Sequence, residues 1–250
     1  MFLAYDQGLE HGPADFNEES VDPKKIIEIA QQGGFTGIIL QKGTAEKYYA
    51  SATSAKGGQA AQVSNQGYTV PLIVKLNGKT NLVKDEDPYS PQICTVKEAL
   101  LYGASAVGYT IYVGSEYEPQ MIKEFAVIEQ EAEEEGIPVI AWMYPRGRNV
   151  PDENDPKIVA YAARAGLELG ADIVKVRYTG DPVSFKWVVR SAGEAKVVMM
   201  GGSKEPEEVF LEKAKVAMEA GAVGVAVGRN VWQSDKPLEV AKRLGEVIWR

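Results

Sequence analysis

A closed barrel of eight parallel strands alternating with helices, the (β/α)8 or TIM barrel of the α/β class, is the fold the sequence predicts. Three observations predict it. Eight short apolar, β-rich runs recur along the chain, helical patterns lie between most of them, and the length is 250 residues. One such barrel needs about 250. A single domain over residues 1–250 follows, carrying an extended loop at about 48–70.

The strand runs are FLAYD (2–6), GIILQ (37–41), PLIVKL (71–76), AVGYTIY (106–112), PVIAWMY (138–144), DIVKVRY (172–178), KVVMMGG (196–202) and GVAVGRN (224–230). Their near-continuous apolar character fits strands buried on both faces. Between them lie DPKKIIEIAQQGG, TVKEALLYGA, EPQMIKEFAVIEQEAEEEG, DPKIVAYAARAGLELGA, DPVSFKWVVRSAG and PEEVFLEKAKVAMEAGA. Several are entered through Asp or Thr, whose side chain can cap the first turn, and left through Gly, which tolerates a left-handed C-terminus. Each supplies a crossover between parallel strands. Repeated strand-then-helix units favour a closed barrel, with a doubly wound open sheet as the alternative.

Two stretches break the pattern. YYASATSAKGGQAAQVSNQGYTV (48–70) is polar and rich in Gly, Ser and Gln. It is too long for a plain connection and follows a strand's C-terminal end, so it reads as an active-site flap or a surface insertion. The chain also starts almost at the first strand, which leaves the barrel bottom to be covered by another subunit or marks a short N-terminus.

Composition narrows the partners. With 45% hydrophobic and 25% charged residues the chain is an ordinary globular protein. A net charge of −8 repels nucleic acid and anionic membrane alike, so neither is an expected partner. The lone Cys94 can form no intramolecular disulfide, and no run approaches the ~20 apolar residues of a membrane span. The expected location is the cytoplasm.

In this fold, reactive groups come from strand C-termini. The polar residues there are Asp6, Gln41 with Lys42, Lys75, Tyr109, Tyr144 with Arg146, Lys175 with Arg177, Gly201 with Gly202, and Gly228 with Arg229. Lys175 shares a strand face with Ile173 by period-two alternation, so it points into the barrel. Burial near other cations disfavours its ammonium form and leaves the free amine that attacks a carbonyl. The alternative is a lysine reaching along the strand end to a phosphate or to Asp6. Tyr144, with Trp142 on its face, is placed for proton transfer, or else fills the barrel as an aromatic whose hydroxyl finds a partner. Asp6 could orient substrate hydroxyls or accept a proton, or simply pair with a barrel lysine.

MMGGSK (199–204) and AVGRN follow strands seven and eight, where barrels often cradle phosphate with glycine amides. Arg229 or Lys204 would add charge there. Arg146 could hold a second phosphate across the mouth or lie solvated. His11, in GLEHGP, could touch substrate or be a plain loop histidine. The acidic run 129–136 is a solvated helix face. Metal-assisted aldol chemistry needs clustered histidines and carboxylates, and the sequence offers a single His. A lysine-based route needs no metal or other cofactor, and neither is expected.

These residues carry a resemblance. AYDQGLEHGPADF, KGTAEKYY, KLNGKT, GASAVGYTIYVGS, YPRG, ADIVKVRYTGDP, GGSK and AVGRNVWQ occur in order from the first residue nearly to the last. The sequence resembles the archaeal-type class I fructose-bisphosphate aldolases of the Schiff-base aldolase superfamily. The resemblance implies reversible cleavage of fructose 1,6-bisphosphate to dihydroxyacetone phosphate and glyceraldehyde 3-phosphate, through an imine on Lys175. It also implies a proton-transferring Tyr144, an Asp6 in the site and Trp142 at the substrate edge. Phosphate contacts fall on Gly201, Gly202, Gly228 and Arg229 at one end and on Arg146 at the other. The expected partners are a phosphorylated sugar and further copies of the chain, in a homo-oligomer working in glycolysis and gluconeogenesis.

Three departures stand out. Gln7 occupies a position where many archaeal members carry histidine; it can hydrogen-bond substrate but cannot titrate. Residues 56–69 look inserted, and a helix expected before the first strand is missing. The alternatives are a related Schiff-base aldolase or transaldolase of the aromatic-biosynthesis type and a non-catalytic sugar-phosphate sensor. GLEHG, AEKYY and GYTIYVGS favour the fructose-bisphosphate group.

Overall fold

Eight parallel strands pair in sequence order and close into a barrel in the computed structural model, which describes residues 1–50, 67–83 and 86–249. The strands are β1 Phe2–Ala4, β2 Gly37–Gln41, β3 Leu72–Lys75, β4 Ala104–Val113, β5 Val139–Pro145, β6 Ile173–Val176, β7 Lys196–Met200 and β8 Gly224–Val227. All eight predicted runs are strands of this barrel. Most of the 48–70 loop (51–66) lies outside the described residues.

The crossover helices are α1 Pro23–Gln32, α2 Val96–Leu101, α3 Glu118–Glu134, α4 Pro156–Glu168, α5 Pro182–Ser191 and α6 Glu207–Glu219, followed by α7 Pro237–Ile248. The caps read from the sequence are formed. Asp22, Thr95, Asp155 and Asp181 accept hydrogen bonds from first-turn amides of α1, α2, α4 and α5. In α1, α4 and α5 a proline follows the cap, where its missing N–H costs nothing. The helix α7 is not among the segments named from the sequence. Its signal is Pro237 at the start and Val240, Ala241, Leu244 and Ile248 buried along one face. After β2 the chain turns at once through Lys42–Thr44 and a π-helical turn Ala45–Tyr49.

Strand alternation divides the core. One set of side chains packs outward under the helices, while Ala4, Ile39, Ile73, Ala106, Ile140, Trp142, Val198 and Ala226 fill the barrel lumen. Continuing the same alternation one pair further brings Asp6, Lys75 and Lys175 inward at the C-terminal mouth.

Gly108 makes room for that layer. A Cβ there would lie 1.7 Å from Cζ3 of Trp142 and 1.9 Å from Cη2. Gly108→Ala must therefore push the indole out of the lumen. The expected result is a loss of about 1–3 kcal/mol in stability, read as a lower urea midpoint, with a fall in activity as Trp142 shifts.

Candidate active site

β1, β3, β5, β6, β7 and β8 aim side chains or loops into one cavity of about 330 Å³ at the C-terminal mouth. All of Asp6, Gln7, His11, Trp142, Tyr144, Arg146, Lys175, Gly201, Gly202, Gly228 and Arg229 line it. The structure thus brings together residues spread from the first strand to the last. Lys204 does not line the cavity; its Nζ lies 3.5 Å from the Asn230 carbonyl.

Lys175 is only 5% exposed and sits on β6 in register with Trp142 of β5. Its Nζ lies 5.1 Å from the centroid of the Trp142 ring. Burial pulls its pKa down to about 8, Lys75 adds to that shift, and Asp6 opposes it. Lys75 Nζ reaches Asp6 Oδ2 at 3.3 Å. Burial pushes the Asp6 carboxyl up, yet Lys75, Lys175 and a backbone hydrogen bond together outweigh burial and hold it below the usual carboxylate range. Two lysines thus share one carboxylate, which keeps a negative charge in the floor while leaving Lys175 short of full compensation.

Tyr144 ends the inward face of β5. Burial first, then the Asp6 carboxylate, raise its hydroxyl well above the ordinary tyrosine value. It therefore holds its proton at neutral pH, and its phenolate would be a strong base. Trp142 Nε1 and Gln7 Nε2 are buried with no hydrogen-bond partner among the described residues. Such donors are costly unless a ligand meets them.

The loops after β7 and β8 form one unit. Gly202 turns the chain with φ +69, and a Cβ on Gly228 would meet the Ala4 carbonyl at 2.6 Å. Asn230, buried, ties the loops: its Nδ2 donates to the carbonyls of Gly201 at 2.7 Å and Ser203 at 3.0 Å, and its Oδ1 accepts from the Glu205 amide at 3.0 Å. Arg229 Nη1 contacts Asp15 Oδ2 at 3.5 Å, and the same carboxylate oxygen lies 2.5 Å from His11 Nδ1.

Across the mouth, Arg146 sits 5.4 Å above the Tyr112 ring. Its Nε donates to Glu153 Oε1 at 2.8 Å and its Nη1 reaches Glu10 Oε1 at 3.4 Å. Arg177 is held by Glu153 as well, and its Nε is buried without a partner among the described residues. Among the described residues, no three His, Cys, Asp or Glu side chains are grouped as a metal site.

Sequence reasoning marked Lys75 and Arg177 as strand-end polar residues but gave them no role, although each lies on the inward alternation or beside it. Glu10, Glu153 and Asn230 went unassigned. Only for Asn230 was there a cue, its place beside the glycine and arginine of the β8 loop.

A cavity with a desolvated amine, a buried tyrosine and glycine loops suits carbonyl chemistry on an anionic substrate, and comparison with known proteins agrees. The family model for DeoC/LacD family aldolases matches residues 1–234. A fructose-bisphosphate aldolase class 1 of Thermoproteus tenax is 49% identical over 252 residues, covering 100% of this chain and 89% of the relative. A fructose-bisphosphate aldolase/6-deoxy-5-ketofructose 1-phosphate synthase of Methanocaldococcus jannaschii is 37% identical over 264 residues, covering 100% of this chain and 80% of the relative. Among solved structures, an archaeal fructose-1,6-bisphosphate aldolase with its catalytic lysine covalently bound to the carbinolamine intermediate superposes with a TM-score of 0.90. It is 48% identical, over 100% of this chain and 93% of that one.

Proposed function

The chain belongs to the DeoC/LacD family of aldolases, and from that premise we propose that it is a class I fructose-1,6-bisphosphate aldolase in which Lys175 forms the Schiff base. The observation that carries the assignment to Lys175 is its position: a buried amine in the floor of the cavity, with its pKa drawn down to about 8.

The Lys175 amine adds to the C2 ketone, giving a carbinolamine. Tyr144 donates its proton to the carbinolamine hydroxyl, which leaves as water as the C2–N bond becomes an iminium. The tyrosinate then takes the C4 hydroxyl proton, the C3–C4 bond breaks, and its electron pair moves into an enamine on Lys175. Glyceraldehyde 3-phosphate leaves. Protonation of the enamine at C3 and hydrolysis of the imine release dihydroxyacetone phosphate. Asp6, fixed by Lys75, offers its carboxylate to the sugar hydroxyls. Gln7 and His11 face the substrate, and Trp142 presents its unpaired N–H. The glycine cradle with Arg229 takes the C1 phosphate, and Arg146 takes the C6 phosphate.

Borohydride with dihydroxyacetone phosphate tests this reading. The expected product is a reduced adduct mapped by peptide mass to Lys175. Its formation rate should rise roughly tenfold per pH unit on the acid side and level off above a pKa of about 8, because the free amine is the nucleophile. An adduct on Lys75, or none, would overturn the assignment. A substrate screen that includes heptulose and deoxyketohexose phosphates decides between this substrate and that of the bifunctional relative.

The placement in glycolysis and gluconeogenesis follows from the same reaction. A cytoplasmic site agrees with the buried free thiol of Cys94, and no described helix is long and apolar enough to cross a membrane. A homo-oligomer is supported by Tyr161, Val183 and Trp187, large apolar side chains left exposed on the neighbouring helices α4 and α5.

A further inference from the structure

Arg146 and Arg177, cations of the loops that follow β5 and β6, are each already paired with a carboxylate. Two arginines face two glutamates, Glu10 and Glu153, so the group is neutral as a whole. A phosphate dianion meeting a neutral group gains little net attraction until one carboxylate gives way.

The two glutamates are held differently. Glu153 bridges both guanidiniums, taking Arg146 Nε at 2.8 Å and the Arg177 terminal nitrogen, and it does not line the active cavity. It grips them from outside. Glu10 does line the cavity, with a side chain only 17% exposed, and one oxygen makes two long contacts: Arg146 Nη1 at 3.4 Å and the Tyr112 hydroxyl at 3.3 Å. A carboxylate oxygen on Arg146, inside the cavity and loosely held, occupies ground that a phosphate oxygen would take. Arg177 adds a donor in the same wall, its Nε buried and unpaired among the described residues.

Building on the bisphosphate reading, the geometry points to Glu10 as a specificity-determining residue: an internal competitor for the distal phosphate, which must displace it from Arg146. Glu153 keeps the guanidiniums in place during the exchange. A substrate with no phosphate at that end leaves Glu10 where it is. The displaced carboxylate stays near the phosphate, so its charge weakens bisphosphate binding and eases release of the phosphorylated aldehyde.

Glu10→Gln removes the charge and keeps the shape. The measured quantity is the ratio of kcat/KM for fructose 1,6-bisphosphate to that for fructose 1-phosphate, in parent and variant. The expected change is a rise of about tenfold, carried by a lower KM for the bisphosphate, since like charges at close quarters are costly. As a second readout, inorganic phosphate added at saturating fructose 1-phosphate should inhibit Glu10→Gln at about a tenfold lower concentration than the parent. An unchanged or lower ratio in an active variant overturns this inference alone. A parent that forms the borohydride adduct but does not cleave the bisphosphate overturns the bisphosphate reading, and this inference with it.

Discussion

Replacing Lys175 by methionine should abolish aldol cleavage, lowering kcat/KM by roughly four orders of magnitude or more, because no other group in the site can form the iminium that accepts the electron pair. Among the described residues Lys75 is the one other lysine lining the cavity, and Asp6 holds it by an ion pair at 3.3 Å. That ion pair commits the Lys75 nitrogen to the Asp6 carboxylate, so it does not stand in as nucleophile. The loss should come without unfolding. Methionine is apolar and of similar length, and it takes the place of a buried amine whose pKa burial has drawn down from 10.5 to about 8. A group with a depressed ammonium pKa is destabilising wherever the unfolded chain would bind the proton more tightly. In the parent that cost stands in full below about pH 8 and fades as pH rises toward 10.5. Lys175→Met should therefore melt higher than the parent at neutral pH, with the gap narrowing above pH 8. Retained cleavage, or a variant less stable at pH 7 than the parent, would refute the nucleophilic role of the buried amine or the cost of its burial, respectively.

How far the sequence foretold this site depends on how each residue is placed. Lys175, Trp142 and Tyr144 lie on strands with strict alternation, so their common inward face follows from local pattern alone once Ile140 and Ile173 mark the lumen. The eight strands and the capped helices were legible for the same reason: their signals are periodic or sit at fixed offsets. The Asp6–Lys75 pair was not, because it joins β1 and β3 across the intervening β2, and only the curvature of the closed barrel brings the two together. Glu10 and Arg146 are 136 residues apart, the first on a four-residue helical turn (Gly8–His11) and the second on the loop after β5, both too short for any periodicity to say which way a side chain turns. Sequence left Asp6 between substrate contact and salt bridge, and the structure gives it both a lysine partner and a place on the cavity wall. The chemistry was thus readable where the backbone is regular, and the electrostatics only after the barrel had closed.

Tyr144→Phe should cost about 10²- to 10⁴-fold in kcat, the range that a well-placed proton donor and acceptor contributes. KM should move little, since the hydroxyl acts on bonds changing in the transition state and the phosphates supply most of the binding. The ring itself packs against the lumen layer that contains Trp142 and Ile140. Phenylalanine keeps that packing, so stability should stay within about 1 kcal/mol. Removing the hydroxyl also shows which step needs it. Burial and the Asp6 carboxylate hold the tyrosine proton far more tightly than usual, which makes the phenol a weak acid and its phenolate a strong base. The base step, removal of the C4 hydroxyl proton, should therefore suffer more than the acid step. Borohydride trapping of dihydroxyacetone phosphate on Lys175 in Tyr144→Phe should be slowed by a smaller factor than cleavage. If trapping and cleavage fell by the same factor, Tyr144 would be serving imine formation alone, and the proton from C4 would have to go to Asp6.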